Sequence, residues 1–468
     1  MTNDGMNMKT RNLLAILSAT ALVSSCGLYN KYERPDVNVM GLVRDTASVA
    51  DTLAVSDTAS FGNLPWRSVF TDPQLQTLIE TGLAHNTDLL NAALNVKMIE
   101  SQLLSAKLAF LPAVTFSPQG ALSSWNGQKP SKTYQLPVTA SWSVDIFGKL
   151  LSVKRGAQMQ LLGMKDYQTA VKTSVISGIA NMYYTLLMLD RQQEIVEEMA
   201  GLTKETWDMM KLQMQLGRAR STSVQSAEAG YYQVMAQAAD IKRQIRETEN
   251  SLSLLLGQPG QAIARGRLED QSLPSEFSTG VALQLLNNRA DVHYAEMQLA
   301  ACFHDVQTAR SRFYPGITIS GTGAFTNSSG AGIVNPGKWL LSAVGSLTQP
   351  IFQNGVLIAG LKVAKAKEEQ AYNNWQNAIF KAGNEVSNAL VAYNSSAEKA
   401  GYEAKQVELY KKTVEDTKQL YTSSGATYLE VISAQSNLLN AEISKVTDEL
   451  SKMQAVVSLY TALGGGRD

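Results

Sequence analysis

Few side chains in this sequence have the type and spacing that chemistry requires. The chain of 468 residues contains 3 His and 2 Cys, too few for a zinc or iron–sulfur site with several ligands. His293 and His304 could share a helix face, but no third ligand accompanies them. Residues 332–339 nearly match a nucleotide-binding loop, yet the motif ends in tryptophan and precedes a predicted strand. With no Ser/His/Asp or paired-carboxylate arrangement, we expect no enzyme, no metal site and no cofactor.

The charge balance argues against a nucleic-acid partner. The 41 Lys+Arg cancel the 41 Asp+Glu, whereas a nucleic-acid binder needs a basic face for phosphates. Charged residues are 18% of the chain, below the ~25% usual for soluble domains. The mean hydropathy of −0.12 excludes a bundle of membrane helices. The composition is therefore poor in titratable groups without being hydrophobic.

Cys26 is the one residue with a clear chemical assignment. It follows a basic start and an apolar run at 13–23, which is shorter than the ~20 residues that span a bilayer. Small residues precede Cys26, as in bacterial lipoprotein signals. We expect cleavage after residue 25 and lipidation of Cys26, palmitate included; the alternative is an ordinary cleaved signal with an incidental cysteine. Gly27, where aspartate would retain the protein at the inner membrane, favours the outer membrane.

The rest of the sequence contains two copies of one plan. The segment around Pro112 recurs around Pro315, and the segment around Gly217 recurs around Gly425. Each copy predicts a helix, a strand hairpin, a very long helix, a turn and a shorter helix. The predicted segments are a signal peptide at 1–25, an extended segment at 26–65, a first repeat at 66–257, a connector at 258–282, a second repeat at 283–464 and a tail at 465–468.

The two predicted hairpins, at 113–145 and 316–350, alternate apolar residues with Ser, Thr and Gln. In the second hairpin, Val344 interrupts the pattern by falling on the polar face. The strands have the ~9–11 residues that cross a membrane in a tilted strand, although a soluble sheet with one buried face would show the same pattern. Four strands cannot close a membrane barrel, because known barrels begin at about 8. Spanning strands would therefore have to come from several protomers.

Two helical runs have coiled-coil lengths. No proline interrupts the chain from 149 to about 216 or from 356 to about 421, which corresponds to about 100 Å of helix each. Shorter runs at 75–110 and 222–256 would match that height if stacked end to end. Turns are predicted at 217–222 and 422–428. An unbroken heptad seam follows the second turn, from Leu429 to Tyr460.

Four motifs in this order resemble the TolC-type outer-membrane factors, closest to the lipoprotein branch of OprM and NodT types. Residues 26–35 resemble that branch's mature start, with its Tyr-x-Arg-Pro, and residues 142–149 resemble its strand-to-helix motif. Residues 285–296 resemble its Arg-Pro-Asp-Ile…Ala-Glu element, with Ala290 in place of the proline. Residues 421–435 resemble its tip turn. The similarity runs from the lipidation signal to Gly464, which is nearly the whole chain.

The resemblance implies a mainly α-helical fold with a β-barrel part: two repeats forming a long coiled-coil helical barrel, and four strands per protomer in a 12-stranded barrel of a homotrimer. It implies a gated conduit from periplasm to exterior for drugs and toxic small molecules, lipid-anchored in the outer membrane of a Gram-negative bacterium. Expected partners are a periplasmic adaptor protein, an inner-membrane pump of the resistance-nodulation-division (RND) type and outer-membrane lipid. The alternative function is a periplasmic coiled-coil structural or adaptor lipoprotein without a pore.

The resemblance also implies where a gate would lie. The apolar ring that narrows the tip in the resembling proteins falls on Leu429, but Ser433 and Ser436 replace the acidic and basic residues that usually follow. The charged residues Glu430, Arg218 and Arg220 near the turns could take the place of the missing gate charges, or they could simply be solvated surface residues. The predicted gate residues are Leu429, Glu430, Tyr421, Gly425, Gly217, Arg218 and Arg220, with the two glycines expected at positive φ. The predicted structural residues are Asp145, Gly148, Arg289, Asp291, Pro112 and Pro315.

Overall fold

The computed structural model describes residues 30–37, 42, 61–124, 126–274, 289–326, 338–423 and 425–467. The predicted signal peptide and Cys26 lie outside these residues. The chain divides into two compact units. We call Met1–Val37, Asn95–Lys165 and Tyr294–Gln376 the sheet unit, and Asn38–Leu94, Asp166–His293 and Asn377–Asp468 the core unit.

Helices make up most of the described chain. Two of them, α4 and α7, have 67 residues each, as expected where no proline removes a backbone donor. Two others, α5 and α8, have 35 residues each. Among the described residues, no helix is long and apolar enough to cross a membrane. The helices are α1 (Trp66–Val69), α2 (Pro73–His85), α3 (Thr87–Leu108), α4 (Lys149–Gln215), α5 (Ser221–Leu255), α6 (Ala290–Ser311), α7 (Val356–Thr422) and α8 (Tyr428–Ala462), with short 3-10 turns at Phe61–Asn63 and Leu268–Asp270.

The prediction of one continuous helix at 75–110 is wrong, because the helix is interrupted at Asn86. Asn86 ends α2 and precedes α3, so the run is two helices. Its buried side chain accepts from the Leu89 amide at 3.0 Å and donates to the Leu255 carbonyl at 2.8 Å. Asparagine competes for backbone groups in this way and therefore favours caps over helix interiors. The bond to Leu255 also satisfies a carbonyl at the end of α5, which has no partner within its own helix.

The sheet unit contains one antiparallel sheet. Its strands are β1 (Ala113–Phe116), β2 (Gln119–Ser123), β3 (Ser131–Val144), β4 (Gly316–Thr326) and β5 (Lys338–Thr348). The order is β1–β3–β4–β5, and β2 also pairs with β3. The register of β1 against β3 continues unchanged into β2. Pro118 separates β1 from β2 because proline has no amide hydrogen for the ladder. Within the described residues, the outer strands pair on one side only.

The two faces of the sheet differ in chemistry. One row of directly paired residues crosses the sheet as Thr115, Thr139, Thr322 and Ser342, and the hydroxyls of Thr139 and Thr322 lie 3.0 Å apart. Val344 pairs with Ser320 on this polar face, as the sequence predicted. The opposite face carries apolar pairs, and many of its side chains are exposed: Val114, Phe116, Leu122, Leu136, Val138, Trp142, Ile319, Leu341 and Leu347.

The main hydrophobic core lies within the core unit. Its largest fully buried side chains include Trp66, Tyr183, Tyr184 and Tyr460. The predicted seam of α8 contributes to this core along its later part, with Leu450, Val457 and Tyr460 buried. Other α8 residues outside that seam are buried too, including Val431, Ala434, Leu438 and Val456. The helix is therefore covered on more than one face, which a single heptad seam does not predict.

Candidate gate at the helix turns

The first turn of the core unit joins α4 to α5. Gly217 has φ of +70°, the left-handed conformation that glycine adopts without a steric penalty. The Arg218 amide donates to the Gln213 carbonyl at 2.8 Å and the Gly217 amide donates to the Met214 carbonyl at 3.0 Å. These bonds form the glycine-terminated end that satisfies the last carbonyls of a helix. Arg220 is the N-cap of α5, and its side chain makes no capping bond.

The second turn joins α7 to α8 and is closed differently. Thr427 is the N-cap of α8 and forms a capping box with Glu430. The Glu430 carboxylate accepts from the Thr427 amide at 2.6 Å, and the Glu430 amide donates to the Thr427 hydroxyl at 3.4 Å. Hydrogen bonds from the Thr427 amide and hydroxyl lower the pKa of Glu430 below its ordinary value. The Glu430 carboxylate is thus engaged in starting a helix, which is a structural role.

Gly425 does not have the conformation that the sequence suggested. It is absent from the residues with positive φ, so the expectation for this glycine is wrong. Its amide donates to the Leu420 carbonyl at 2.8 Å, the same bond that Arg218 makes in the first repeat. Gly425 therefore occupies the position equivalent to Arg218, one residue beyond the helix-ending position. The residue at that position, Ser424, lies outside the described residues.

Three of the predicted gate residues point into solvent in the single chain. Leu429 is 74% exposed although it begins the heptad seam of α8. Arg218 and Arg220 are also exposed, and within the described residues neither guanidinium has an ion-pair partner. The single chain leaves most of the Leu429 side chain uncovered. The side chain is available to other copies of the chain or to an aqueous passage.

A small apolar cluster lies beneath the turns. Met210, Val224 and Ala227 are buried there, and Trp207, Ala219, Tyr421 and Tyr428 pack against them. The Tyr421 hydroxyl lies 3.7 Å from the Met210 sulfur. Burial, with a smaller effect of Tyr421, raises the pKa of Tyr428 to about 12. Tyr421 is therefore a packing residue that joins the α7 end to α4.

Contacts between the repeats near the turns involve residues that the sequence did not single out. The Lys418 ammonium on α7 lies 2.8 Å from the Glu205 carboxylate on α4. The Gln435 amide on α8 donates to the Thr206 hydroxyl on α4 at 3.0 Å. The periodicity of a helix identifies its buried face but does not identify the helix that packs against that face. The sequence therefore contains no local pattern that predicts these contacts. A charged pair near the turns is thus present at Lys418 and Glu205, and not at Ser433 and Ser436.

The predicted structural residues of the sheet unit lie where strands and helices meet. Pro112 and Pro315 fall between the end of a helix and the start of a strand, before β1 and β4. Gly148 has φ of +68° immediately before α4. The Asp145 carboxylate accepts from the Leu151 amide at 2.8 Å, which satisfies a donor in the first turn of α4.

Arg289 and Asp291 form a buried ionic network in the core unit. Arg289 is 7% exposed and binds Asp291 through two nitrogens, at 3.0 and 2.7 Å. It also binds Glu385 on α7 at 2.6 Å and the Ala462 carbonyl at the end of α8 at 3.1 Å. Burial opposes the charge, but the bonds to Asp291 and Glu385 outweigh it and raise the pKa of Arg289. The network joins the start of α6, the middle of α7 and the end of α8.

A third charged contact joins two of the quoted motifs inside the sheet unit. Arg34, in the segment that follows the predicted lipidation site, binds Glu296 of α6 through two nitrogens. The Glu296 side chain is 6% exposed. Tyr32 packs edge-on against Phe303 with ring centroids 5.9 Å apart. The segment at 30–37 is thus held on α6 by a charge pair and an aromatic contact.

Within the part of the chain that the structure describes, no group of three or more His, Cys, Asp or Glu could hold a metal ion. Burial lowers the pKa of His304 to about 4, so this histidine is neutral at ordinary pH. His293 lies 2.6 Å from the Asp166 carboxylate.

The chain is similar to known proteins over nearly its whole length. The family model described as "Outer membrane efflux protein" matches residues 78–258 and 281–465. The cation efflux system protein CusC of Escherichia coli K12 is 25% identical over 465 residues, covering 98% of this chain and 100% of that protein. The probable outer membrane lipoprotein SilC of Salmonella typhimurium is 25% identical over 464 residues, covering 97% and 98%.

Solved structures show the same fold. The open state of the MtrE outer membrane channel of Neisseria gonorrhoeae is similar with a TM-score of 0.83 and 24% identity, covering 94% of this chain and 98% of that one. The match extends over both repeats. At this identity it establishes the arrangement of helices and strands.

Proposed function

The chain belongs to the outer membrane efflux protein family, and we propose that three copies form a conduit that is held closed at its helix turns by weak contacts between the repeats. It is an outer-membrane channel subunit of an efflux system, located in the outer membrane of a Gram-negative bacterium. The sequence also left open a periplasmic structural or adaptor lipoprotein without a pore. Membership of this family favours the channel over that alternative. The observation that supports the gate is the exposed Leu429 side chain, next to Glu430, whose carboxylate is bound to the Thr427 amide.

The sheet supports the assembly. Its apolar side chains are exposed on one face, and a row of Thr and Ser crosses the other. That alternation is the pattern of a membrane barrel with lipid outside and water inside. Unpaired strand edges are not tolerated in lipid, and the outer strands here pair on one side only within the described residues. With β1 and β2 counted as one strand interrupted at Pro118, each copy supplies four strands. Three copies would bring the edges together and give a barrel of twelve strands, within the known range of about 8 to 26.

The lipid anchor is the second element of the proposal. Cys26 carries the lipid, eight residues before Arg34. The charge pair of Arg34 with Glu296 then ties the anchored segment to the sheet unit. Each buried methylene of a lipid contributes about 0.8 kcal/mol of membrane binding, so the lipid and the barrel strands would hold the protein in the membrane together.

The gate is the third element. Leu429 of three protomers would narrow the passage with an apolar ring. The pair of Lys418 with Glu205 and the bond of Gln435 to Thr206 hold α7 and α8 to α4 of the same chain. The Lys418–Glu205 pair is exposed, and exposed ion pairs contribute only ~0.2–1 kcal/mol, so a docking protein could break it. We assign that docking to a periplasmic adaptor joined to an RND-type pump, which would select the small-molecule cargo.

Electrophoresis tests the assembly. The proposal expects a detergent-requiring trimer that runs as a monomer only after heating. A monomer that stays soluble without detergent would contradict the shared barrel. Globomycin, which blocks lipoprotein signal cleavage, should leave the unprocessed chain at the inner membrane; processing that continues would contradict lipidation at Cys26.

Conductance in planar bilayers tests the aperture. The Leu429→Ala variant should raise the resting conductance of the reconstituted trimer, because each side chain of the ring becomes smaller and the aperture becomes wider. Leu409→Ala is the matched control, since Leu409 is also an exposed leucine of the core unit but lies on α7 away from the turn. Equal conductance in wild type and both variants would contradict the role of Leu429.

A further inference from the structure

A small cavity lies inside the core unit among α4, α5 and α8. Its volume is about 210 Å³, enough for a fragment-sized molecule, since an apolar cavity of about 150 Å³ holds benzene. Buried apolar side chains form the floor, among them Met199, Val234 and Leu439. Exposed polar residues, Gln233, Ser436 and Asn440, stand at the rim. The cavity combines an apolar floor with a polar entrance.

Two polar atoms of the lining, the Tyr428 hydroxyl oxygen and Gln435 Oε1, have no hydrogen-bond partner among the described residues. Gln435 is 3% exposed, and its amide nitrogen donates to the Thr206 hydroxyl and, at 3.4 Å, to the Leu202 carbonyl. Because a carbonyl only accepts, the nitrogen must face α4 and the orientation of the amide is fixed. The Gln435 Oε1 atom has no hydrogen-bond partner among the described residues. A buried acceptor without a donor is costly, so a donor inside the cavity would stabilise it.

The lining also determines the charge of an occupant. Its polar groups are amides and hydroxyls, from Thr203, Gln237, Tyr428 and the residues already named, and no Asp, Glu, Lys or Arg of the described chain lines the cavity. An ion would lose its hydration without gaining a counter-charge. We propose that the cavity binds a neutral organic molecule of fragment size, with an N–H or O–H group that donates to Gln435 Oε1 and an apolar part that lies on Met199, Val234 and Leu439.

The position of the cavity connects it to the gate. Tyr428, which lines it, is the residue before Leu429, and the lining draws on both repeats. An occupant would contact α4, α5 and α8 at once and therefore favour the arrangement in which they are close. This regulatory part rests on the proposed gate, whereas binding itself does not.

Calorimetry on the purified protein in detergent tests the site. The probe is benzamide, and acetophenone is its control, because the two have the same size and differ by a donating NH₂ in place of a methyl group. Loss of one hydrogen bond to a buried acceptor should weaken binding about tenfold. We expect benzamide to bind about tenfold more tightly than acetophenone. Equal affinities, or no heat of binding for benzamide, would overturn the proposal.

Matched glycine variants locate the binding. Gly230 lines the cavity, and a Cβ added there meets nothing within 4 Å, so Gly230→Leu should fill the space without disturbing α5. Gly201→Leu is the control, because Gly201 on α4 is equally open but does not line the cavity. Benzamide binding should be lost in the first variant and retained in the second. Equal binding by both would overturn the assignment.

A third variant tests the acceptor itself. Gln435→Met keeps the length of the side chain and removes Oε1, so benzamide should bind it no better than acetophenone does. Retained discrimination would overturn the role of Gln435. Bilayer recordings with benzamide then test the coupling separately: resting conductance should fall when the site is filled. Binding without that fall would overturn only the regulatory part, and failure of the Leu429 test would leave the calorimetric result standing.

Discussion

Charged contacts in the core unit are of two kinds, and they differ in burial. The Arg289 network joins three helices through a guanidinium that is 7% exposed. The pair of Lys418 with Glu205 near the turns has side chains 42% and 63% exposed. Solvent screens the second kind far more than the first. The difference indicates that charged contacts hold the helices more firmly at the buried network than near the turns, as the proposed gate requires.

Substitution of Arg289 should have the largest effect on stability. Arg289→Met leaves Asp291, Glu385 and the Ala462 carbonyl without their donor. We expect a loss of about 2–3 kcal/mol, less than the ~3–5 kcal/mol for a fully buried pair because both carboxylates are partly exposed. Thermal unfolding in detergent measures it. Arg218→Met, which removes an exposed guanidinium at the turn, is the control and should change stability by less than ~0.5 kcal/mol. Equal losses would erase the contrast between the two regions.

The N-terminal contact should have an intermediate effect. Arg34→Met leaves the buried Glu296 carboxylate without its cation, at a cost of about 1–2 kcal/mol, because Arg34 itself is partly exposed. The segment should detach more often, and trypsin should cleave after Lys31 faster than in the wild type. Glu33→Gln changes an exposed neighbour and should leave the rate unchanged. Unchanged cleavage in Arg34→Met would show that the pair does not hold the segment.

The two turns themselves can be compared by removing their N-cap side chains. Thr427→Ala breaks the capping box of α8 and should cost about 1 kcal/mol. Arg220 occupies the equivalent position before α5 but makes no capping bond, so Arg220→Ala should cost almost nothing. Thermal unfolding of the two variants provides the measurement. A larger loss for Arg220→Ala would mean that its guanidinium has a role that the single chain does not reveal.

A smaller, pH-dependent effect is expected between α7 and α8. Burial, together with the neighbouring Asp448, raises the pKa of Glu403 to about 7, although Lys399 opposes this. The folded state therefore binds more protons than the unfolded state between pH 4.5 and about 7, and this contribution to stability is lost as the pH rises through that window. Glu403→Gln should flatten the melting temperature over this range. A wild-type slope retained in the variant would refute the assignment.

Much of the architecture could be predicted because it depends on patterns within single elements. The absence of proline predicted a helix from 149 to about 216, and α4 is Lys149–Gln215. Alternation predicted the two faces of the sheet, including the misplaced Val344. The break at Asn86 was missed because it depends on a bond to Leu255, 169 residues away. Helical periodicity continues through that residue.

The gate was harder to predict than the fold. Gly217 could be recognised from its turn, but Gly425 lies one position too late to have the same role. Glu430 was a candidate gate charge, and its partner Thr427 in fact makes it a capping residue. Glu205 and Lys418 were missed because their pairing is a contact between distant helices. The lipidation of Cys26 and the roles of Arg218 and Arg220 stay predictions.

The most direct test of the central claim is the single-channel conductance of a charge-swapped pair. Lys418→Glu places two carboxylates together in each protomer and should raise the resting conductance. The double variant with Glu205→Lys restores an opposite-charge pair and should return conductance towards the wild-type value, with little change in melting temperature because the pair is exposed. Conductance that is unaffected by the single change, or that the swap fails to restore, would contradict a gate held closed by contacts between the repeats.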